Sequence, residues 1–279
     1  MANANLNNTI ELVKNYLDDP NNLYGVLKEG LLTQDLETPF TEFVGASTMS
    51  YPLFPASSTD LPDYNTKTGY ATLDQTLERK EVTITQDKGY QIPLDAEDIA
   101  DSHVQAVAFI NNAVRQYEVP SIDKYRLGKL ATATGVTKVA VTTDMLADYD
   151  TAKQKIFDEE ISTSGTVLYV DSARYNSLKQ SDKIKRSVLV DTNNGNVNRE
   201  VEMLDGETKI VKVPAGRMPS GVGFILVQPL AVIAGIKRNK TAIIPEPENF
   251  DGVLINRRLK HDCFVLEGRA KGIVVGTTA

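Results

Sequence analysis

The hydrophobic pattern between residues 48 and 94 indicates two extended legs with few apolar residues between them. Apolar side chains take alternate positions on the outgoing and the returning leg: Met49, Tyr51 and Leu53, then Val82 and Ile84. Prolines and a glycine punctuate the stretch: Pro52, Pro55, Pro62 and Gly69. Alternation with a period of two is typical of β-strands. A two-stranded ribbon alone is marginally stable in water, so we expect this one to lie on another molecule.

A helical pattern follows the ribbon and begins near Asp95. Its stripe of packing residues recurs every three or four positions: Ile99, His103, Ala106, Val107, Ile110, Val114 and Tyr117. The Asp95 carboxylate is suited to accept a hydrogen bond from the first turn, whose N–H groups have no helical partner. Pro120 is expected to interrupt the helix, and a helical pattern resumes over residues 122–130.

Helices and strands alternate from residue 143 onward. Thr143 is expected to cap an amphipathic helix that carries Leu146, Tyr149, Ile156 and Phe157. The predicted strands cover residues 166–170, 187–190, 209–213 and 223–227, with further strands between 253 and 275. Residues 229–236 predict a short helix, because Pro229 suits a first helical turn. The pattern as a whole predicts an α+β protein.

Composition and charge narrow the range of possible partners, metal sites and membrane segments. The net charge of −7 argues against tight, nonspecific binding of nucleic acid, although it does not prevent a container wall from enclosing it. Cys263 is the only cysteine, which excludes an intrachain disulfide and a zinc site built of thiolates. The most apolar stretch, residues 223–236, is too short to span a membrane. We expect a soluble protein made in a cytoplasm.

Candidate catalytic and metal-binding groups are few. His103 lies on the apolar stripe, where a packing role is expected, and His261 and Cys263 share one face of a predicted strand. Such neighbours on one strand are a poor basis for a catalytic pair. The Asn-rich run from Asp191 to Glu202 has its glycine at position five instead of six, which indicates a turn and not a calcium loop. We therefore predict no catalytic residue, metal or cofactor.

Short basic clusters occur in the second half of the chain: Lys183, Lys185 and Arg186, then Lys237, Arg238 and Lys240, then Arg257, Arg258 and Lys260. Two interpretations stay open for them. They are either solvated surface or partners for acidic patches, such as residues 158–160, on a neighbouring copy.

The order of these parts resembles the major capsid proteins of tailed bacteriophages, which have the Hong Kong 97-like fold. The returning strands over 81–86 and 90–94 lead into a helix start, Asp95-Ala-Glu-Asp98, that resembles the start of that family's spine helix. The run from Val119 to Leu130 is similar to the continuation found there. Residues 166–178 resemble the opening of the axial domain, and residues 251–255, 262–266 and 271–273 resemble closing strands of the peripheral domain.

The resemblance implies a division of the chain into four parts. These are an N-terminal arm (1–45), an extended β-hairpin loop (46–94), a peripheral domain with a long spine helix (95–140 and 246–279) and an axial domain (141–245). It further implies a structural head protein that assembles as pentamers and hexamers into an icosahedral shell around double-stranded DNA. The expected location is the virion, with synthesis in the host cytoplasm.

The resemblance also implies partners. These are other copies of the chain, a separate scaffolding protein and a portal protein, with no membrane and no sequence-specific contact to DNA. Since the chain starts almost directly with its arm, we expect no removal of a scaffolding segment. The expected contacts with neighbouring subunits come from apolar residues of the hairpin: Met49, Tyr51, Leu53 and Tyr70. Some relatives form a Lys–Asn crosslink, but no partners for Lys67 or Lys80 can be matched here.

Two alternatives stay open. A nanocompartment shell of the encapsulin type would share the fold and enclose a cargo enzyme instead of a genome. An α/β enzyme of small molecules, built from residues 141–245, would need a polar site that the sequence does not assemble.

Overall fold

The computed structural model describes most of the chain. It covers residues 20–38, 47–53, 78–95, 105–181, 200–245 and 251–278, with positions 11, 15, 16, 45, 64, 66, 67, 69, 97, 247 and 248 between them. Several sequence expectations lie outside the described residues: Ile99, His103, Tyr70, the basic cluster at 183–186, the strand at 187–190 and residues 191–199.

The described strands form three sheets. In chain order they are β1 (Thr48–Leu53), β2 (Glu78–Thr83), β3 (Gln86–Asp95), β4 (Thr137–Ala140), β5 (Val167–Asp171), β6 (Met203–Leu204), β7 (Thr208–Val213), β8 (Val222–Val227), β9 (Val232–Pro245), β10 (Gly252–Val265) and β11 (Ile273–Thr277). The helices are α1 (Pro20–Gly30), α2 (Gln105–Ala113), α3 (Val119–Thr132), α4 (Met145–Asp158) and α5 (Ser172–Gln180). Short 3₁₀ turns lie at Gln34–Leu36, Pro229–Ala231 and Glu267–Gly272.

The largest sheet has the strand order β4-β11-β8-β5-β7-β6. Its central strands are buried on both faces, which explains why Val167–Asp171 and Val222–Val227 are almost continuously apolar. Helix α3 covers one face through buried residues such as Leu127 and Leu130. Helices α4 and α5 cover the other face through residues such as Tyr149 and Leu178.

A separate three-stranded sheet has the order β3-β10-β9, with both neighbours antiparallel to β10. One face packs on α1, α2 and the start of α3, where Leu27, Ile110, Val114 and Ile122 are buried. Strands β9 and β10 are each 14 residues long. Their register shifts between Lys260 and His261, which marks a β-bulge.

Pro120 does not interrupt the long helix, contrary to the sequence prediction. Residues Val114–Glu118 form a single π-helical turn that joins α2 directly to α3. In this turn the Val119 N–H donates to the Val114 carbonyl, five residues back. The wider turn places Pro120 in the first turn of α3, where a missing N–H costs no hydrogen bond.

The observed helix caps lie closer to the sequence predictions than the observed helix ends do. Asp95 is the last residue of β3, and its Oδ1 accepts a hydrogen bond from the Glu97 N–H at 2.9 Å, as an N-cap does. The cap of α4 is Asp144 and not the expected Thr143, because the Asp144 carboxylate accepts from two N–H groups of the first turn. Phe157, expected on the buried stripe of that helix, is 71% exposed.

The predicted strands over 166–170, 209–213 and 223–227 are confirmed within a residue or two, as are strands in the tail. The predicted helix over 229–236 is wrong. Only Pro229–Ala231 form a 3₁₀ turn, and the chain then enters β9. Backbone pairing with β10 over the whole length of β9 outweighs the weak helical preference of this segment.

The sheets divide the chain differently from the expected domain limits. Strand β9, placed by sequence in the axial part, pairs with β10 of the peripheral part. Strand β11, placed in the peripheral part, lies inside the six-stranded sheet between β4 and β8. The change between sheets therefore falls near residues 231 and 266. The division into four functional parts stays a prediction.

Candidate assembly surfaces

Strands β1 and β2 form the antiparallel base of the expected hairpin. Thr48 lies opposite Thr83, and the ladder runs out to Leu53 opposite Glu78. The connecting segment, residues 54–77, lies outside the described residues except for four positions. The hairpin base therefore holds the two ends of this segment side by side, since directly opposed residues in such a ladder have Cα atoms about 5 Å apart.

The hairpin base is attached to the rest of the chain at its root. The Ile84 N–H donates to the Ser47 carbonyl at 2.8 Å. The Lys260 ammonium donates to the Ser47 hydroxyl, and Lys80 pairs with Glu267. These contacts fix the direction in which the two strands leave the three-stranded sheet.

The residues expected to contact neighbouring subunits have different surroundings. Met49 and Tyr51 are 3% and 5% exposed, so the chain itself covers them. The side chain of Leu53 and all of Tyr70 lie outside the described residues. Contact of these four residues with a second copy stays a prediction, and the isolated chain offers little surface of the first two.

A buried ion pair joins the π-helical turn to the three-stranded sheet. Arg257 donates from Nε and Nη2 to the two carboxylate oxygens of Glu118, at 2.7 and 2.9 Å. The Tyr90 hydroxyl donates to the same carboxylate at 2.7 Å, and Thr241 accepts from Arg257 at 3.0 Å. Both charged side chains are at most 3% exposed. The pair thus locks the turn against strands β3, β9 and β10.

Helix α3 holds the N-terminal segment through a second buried network. The Asp123 carboxylate accepts from the Thr33 N–H at 3.1 Å, from the Thr33 hydroxyl at 2.8 Å and from Arg217 at 2.9 Å. Arg126, one turn later and fully buried, donates to Thr33 and lies 3.5 Å from Glu37. Residues 31–37 are therefore held to α3 by two of its charged side chains, the acidic Asp123 and the basic Arg126.

The sequence prediction missed both networks. Asp123 and Arg126 are three residues apart on one helix, a spacing that puts them on one face, but α3 shows little contrast between faces. Charged residues in such a helix are expected to face solvent. The partners of Asp123, Thr33 and Arg217, are about 90 residues away along the chain, and no local sequence pattern indicates these contacts.

Asp262 of β10 organises the junction between the hairpin root and α3. Its carboxylate accepts from the Thr85 N–H at 2.7 Å and the Thr85 hydroxyl at 3.1 Å. It also accepts from the Tyr125 hydroxyl at 2.7 Å. Because Thr85 lies between β2 and β3, this carboxylate sets the angle at which the hairpin meets the sheet.

His261 and Cys263 are neighbours on the buried face of β10, as expected, and their chemistry does not suit a catalytic pair. Burial raises the pKa of the Cys263 thiol to about 12. The thiol therefore stays protonated at neutral pH and is a poor nucleophile. Burial also lowers the pKa of His261, and the positive charge of Arg126 lowers it further. Both residues act as packing groups.

Acid is expected to destabilise the fold through His261. Burial, with Arg126 and Lys88 nearby, lowers the pKa of this imidazole from 6.5 to about 4, while Asp262 partly offsets the shift. Below about pH 6.5 the unfolded chain takes up a proton that the folded chain does not, so stability falls as the pH drops towards 4. The loss amounts to about 3 kcal/mol.

Urea unfolding of the chain and of the His261→Gln variant, between about pH 7 and about pH 4, measures this contribution. The variant should lose less stability over that window than the unsubstituted chain, since glutamine does not titrate. Equal losses in the two proteins would show that other groups account for the acid sensitivity.

Several large apolar side chains are exposed on the described surface: Phe109, Tyr117, Phe157, Met203, Leu230 and Ile244. Exposed apolar residues of this size favour contacts with other proteins where they adjoin each other. Among the described residues, no group of three or more His, Cys, Asp or Glu side chains is placed to hold a metal ion. Within the same residues, no helix has the length and hydrophobicity that a membrane crossing requires.

Comparison with known proteins gives matches at the level of structure. No protein-family model matches the chain, and no curated protein matches it in sequence. The capsid of the cyanophage P-SCSP1u is similar in structure, with a TM-score of 0.61 and 14% identity over 88% of this chain and 87% of that one. The mature capsid of bacteriophage PhiM1 has a TM-score of 0.60 and 12% identity, over 87% of this chain and 88% of that one.

A virus-like particle from Pyrococcus furiosus is similar to the same degree. Its TM-score is 0.60 and its identity 12%, over 91% of this chain and 95% of that one. Identities this low establish the fold and nothing finer. The expected fold class is confirmed: the chain has the α+β fold that phage capsid proteins share.

Proposed function

We propose that this chain is the structural subunit of an icosahedral shell and has no enzymatic activity. In the specific form that we favour, copies assemble as pentamers and hexamers into the head of a tailed phage and enclose its double-stranded DNA. The shell would enclose DNA without reading its sequence. One observation carries the proposal, which is the similarity of nearly the whole chain to subunits of closed shells.

The chain's own features support this role. A hairpin base is anchored at its root, and the segment 54–77 that it connects would add contact area if it reaches a neighbouring copy. Exposed apolar side chains such as Phe109 of α2 and Phe157 of α4 would provide further contact sites. Closed shells need several such contacts per subunit, because many modest interfaces acting together give stable assemblies.

Electron microscopy and sedimentation of the purified chain test the proposal. We expect closed shells, or the pentamers and hexamers from which shells are built. A protein that stays monomeric at all concentrations, alone and with a co-expressed scaffolding protein, would contradict the proposed function. The same experiment with a portal protein present should yield shells with one distinct vertex.

A nanocompartment is the second candidate, and the similarity to the virus-like particle from Pyrococcus furiosus favours it. The contents of purified shells separate the two functions. Nuclease-protected DNA of constant length identifies a phage head, whereas a single co-purifying enzyme identifies a nanocompartment.

A further inference from the structure

The open face of the three-stranded sheet carries a concentration of positive charge. Side chains alternate along β10, and Arg257 and Leu259 are buried at 3% and 4% exposure against the helices. Arg258 and Lys260 therefore lie on the opposite face of the sheet. The register places Lys240 of β9 directly opposite Arg258.

Arg238 of β9 lies directly opposite Lys260 in the same ladder. Arg238, Lys240, Arg258 and Lys260 thus form two consecutive like-charged pairs, which we name the basic face. Like charges directly opposite each other on neighbouring strands destabilise a sheet. The isolated chain keeps this arrangement at a cost.

Among the described residues, Asp87 is the carboxylate that contacts the basic face. Asp87 of β3 accepts two hydrogen bonds from Arg258, at 2.9 and 2.7 Å. These bonds hold the pKa of Asp87 below its usual range, and the positive charges of Lys260 and Arg238 lower it further. Within the described residues, Arg238 and Lys240 are exposed and have neither a hydrogen bond nor an ion pair.

The carboxyl end of α4 carries the opposite charge. Asp158, Glu159 and Glu160 are consecutive and exposed, and we name them the acidic end. Glu159 pairs with Lys271 at 2.9 Å, whereas Asp158 and Glu160 have no partner within the described residues. Negative charge is unfavourable at this end of a helix, because the helix dipole is negative there. The acidic end is therefore also unfavourable in an isolated chain.

Apolar side chains accompany both surfaces. Phe157, directly before the acidic end, is 71% exposed. On the open face of the sheet, Leu254 and Ile244 lie opposite each other beyond the basic face, and Ile244 is 39% exposed. A surface that combines cations with apolar residues suits a protein partner better than a phosphate backbone, which offers charge alone.

We propose that the basic face of one copy binds the acidic end of α4 on a second copy. The proposal rests on the function proposed above, since it requires that copies meet. Each charged surface is costly in the free chain and is neutralised by the other in the contact. Because every copy carries a net charge of −7, association needs local attraction of this kind to overcome the general repulsion.

The contact joins two different surfaces of the same chain, so it is heterologous. Each copy offers its basic face to one neighbour and its acidic end to another. Contacts of this type close into rings or extend into larger arrays, and two-fold dimers do not satisfy them. That geometry is the one that a ring of subunits in a shell requires.

Charge reversal on each side tests the contact. Arg238→Glu with Lys240→Glu replaces two of the four cations of the basic face by anions, which cancels its positive charge, and leaves the Arg258–Asp87 and Lys260–Ser47 bonds in place. Asp158→Lys with Glu160→Lys reverses the acidic end. Each double variant should fold normally and need about tenfold more protein to assemble than the unsubstituted chain does. The combination of all four substitutions should restore assembly in part, since the two new glutamates attract the two new lysines.

Lys28→Glu with Lys124→Glu is the matched control for the basic-face variant. It changes the net charge by the same amount at exposed positions of α1 and α3, outside both surfaces, and assembly should change little. Failure of the fourfold variant to recover, with both double variants folded, would overturn the pairing. So would normal assembly of the Arg238→Glu, Lys240→Glu variant.

Further outcomes separate this inference from the proposed function. If the unsubstituted chain forms no shells or rings, the proposed function fails and this contact with it. If shells form and the reversal variants assemble equally well, the function stands and the contact is wrong. Shells of the basic-face variant that assemble normally but retain less nucleic acid would assign the patch to nucleic acid and overturn the inference.

Discussion

A chain in which residues 54–77 are replaced by Asn-Gly is expected to fold and to lose assembly entirely. Leu53 and Glu78 lie opposite each other at the open end of the hairpin base, so a two-residue turn can join them without disturbing the ladder. Met49 and Tyr51 are buried in the full chain, and we expect them to stay so in this variant. The lost segment includes Tyr70, one of the four residues that we expect to contact a neighbour.

Sedimentation gives the assembly state of this variant, and urea unfolding gives its stability. The unfolding midpoint of the variant should be close to that of the unassembled, unsubstituted chain. Shells of normal size formed by the shortened chain would show that the segment has no role in assembly. An unfolded variant would show that the segment belongs to the core, against the description of the hairpin base given above.

Replacement of Arg257 by methionine should cost about 3–5 kcal/mol of unfolding free energy, the largest effect expected of a single substitution. The change leaves the Glu118 carboxylate buried with Tyr90 as its hydrogen-bond donor and no cation beside it. Much of the expected loss is the cost of that unpaired charge. Urea unfolding of the unassembled protein measures it.

Arg258→Met is the matched control, because it removes the neighbouring arginine from the exposed face of the same strand. Its ion pair with Asp87 is solvent-exposed, and its loss should change stability little. Combining Arg257→Met with Glu118→Gln removes both buried charges and should recover part of the lost stability. If Arg257→Met proves no more damaging than Arg258→Met, the buried pair is not a main support of the fold.

The parts of the fold that the sequence predicted are those with a strong local pattern. Residues 166–170 are continuously apolar between polar flanks and form β5, as expected. The Asp95 cap also depends on a local preference, since a carboxylate before a helix accepts from its free N–H groups. Such features need no information about distant residues.

The errors occur where distant residues decide the structure. Residues 232–236 are compatible with a helix by composition, but they belong to β9, which pairs with β10 at 13 positions. The π-helical turn before Pro120 brings Glu118 onto Arg257, which is 139 residues away. The residues next to Glu118 and next to Arg257 in the sequence do not indicate that either side chain is buried.

The candidate surfaces were predicted in the same uneven way. Basic and acidic runs are visible in the sequence, and a charge contact between copies was one of two open interpretations. Only the strand register shows that Arg257 points inward while Arg258 and Lys260 share the open face with Arg238 and Lys240. The alternation of β10 thus separates a structural arginine from its surface neighbour.

The N-terminal segment has a consequence for how copies adapt to their positions. Helix α1 packs beside the three-stranded sheet through Leu27, Leu36 belongs to the core under the large sheet, and the Thr38 N–H donates to the Ala234 carbonyl at 2.7 Å. The N-terminal segment thus contacts both sheets, and any tilt of one sheet against the other must first break these contacts. In the proposed shell, subunits at five-fold and six-fold positions would therefore share one rigid body and accommodate differences in curvature outside it.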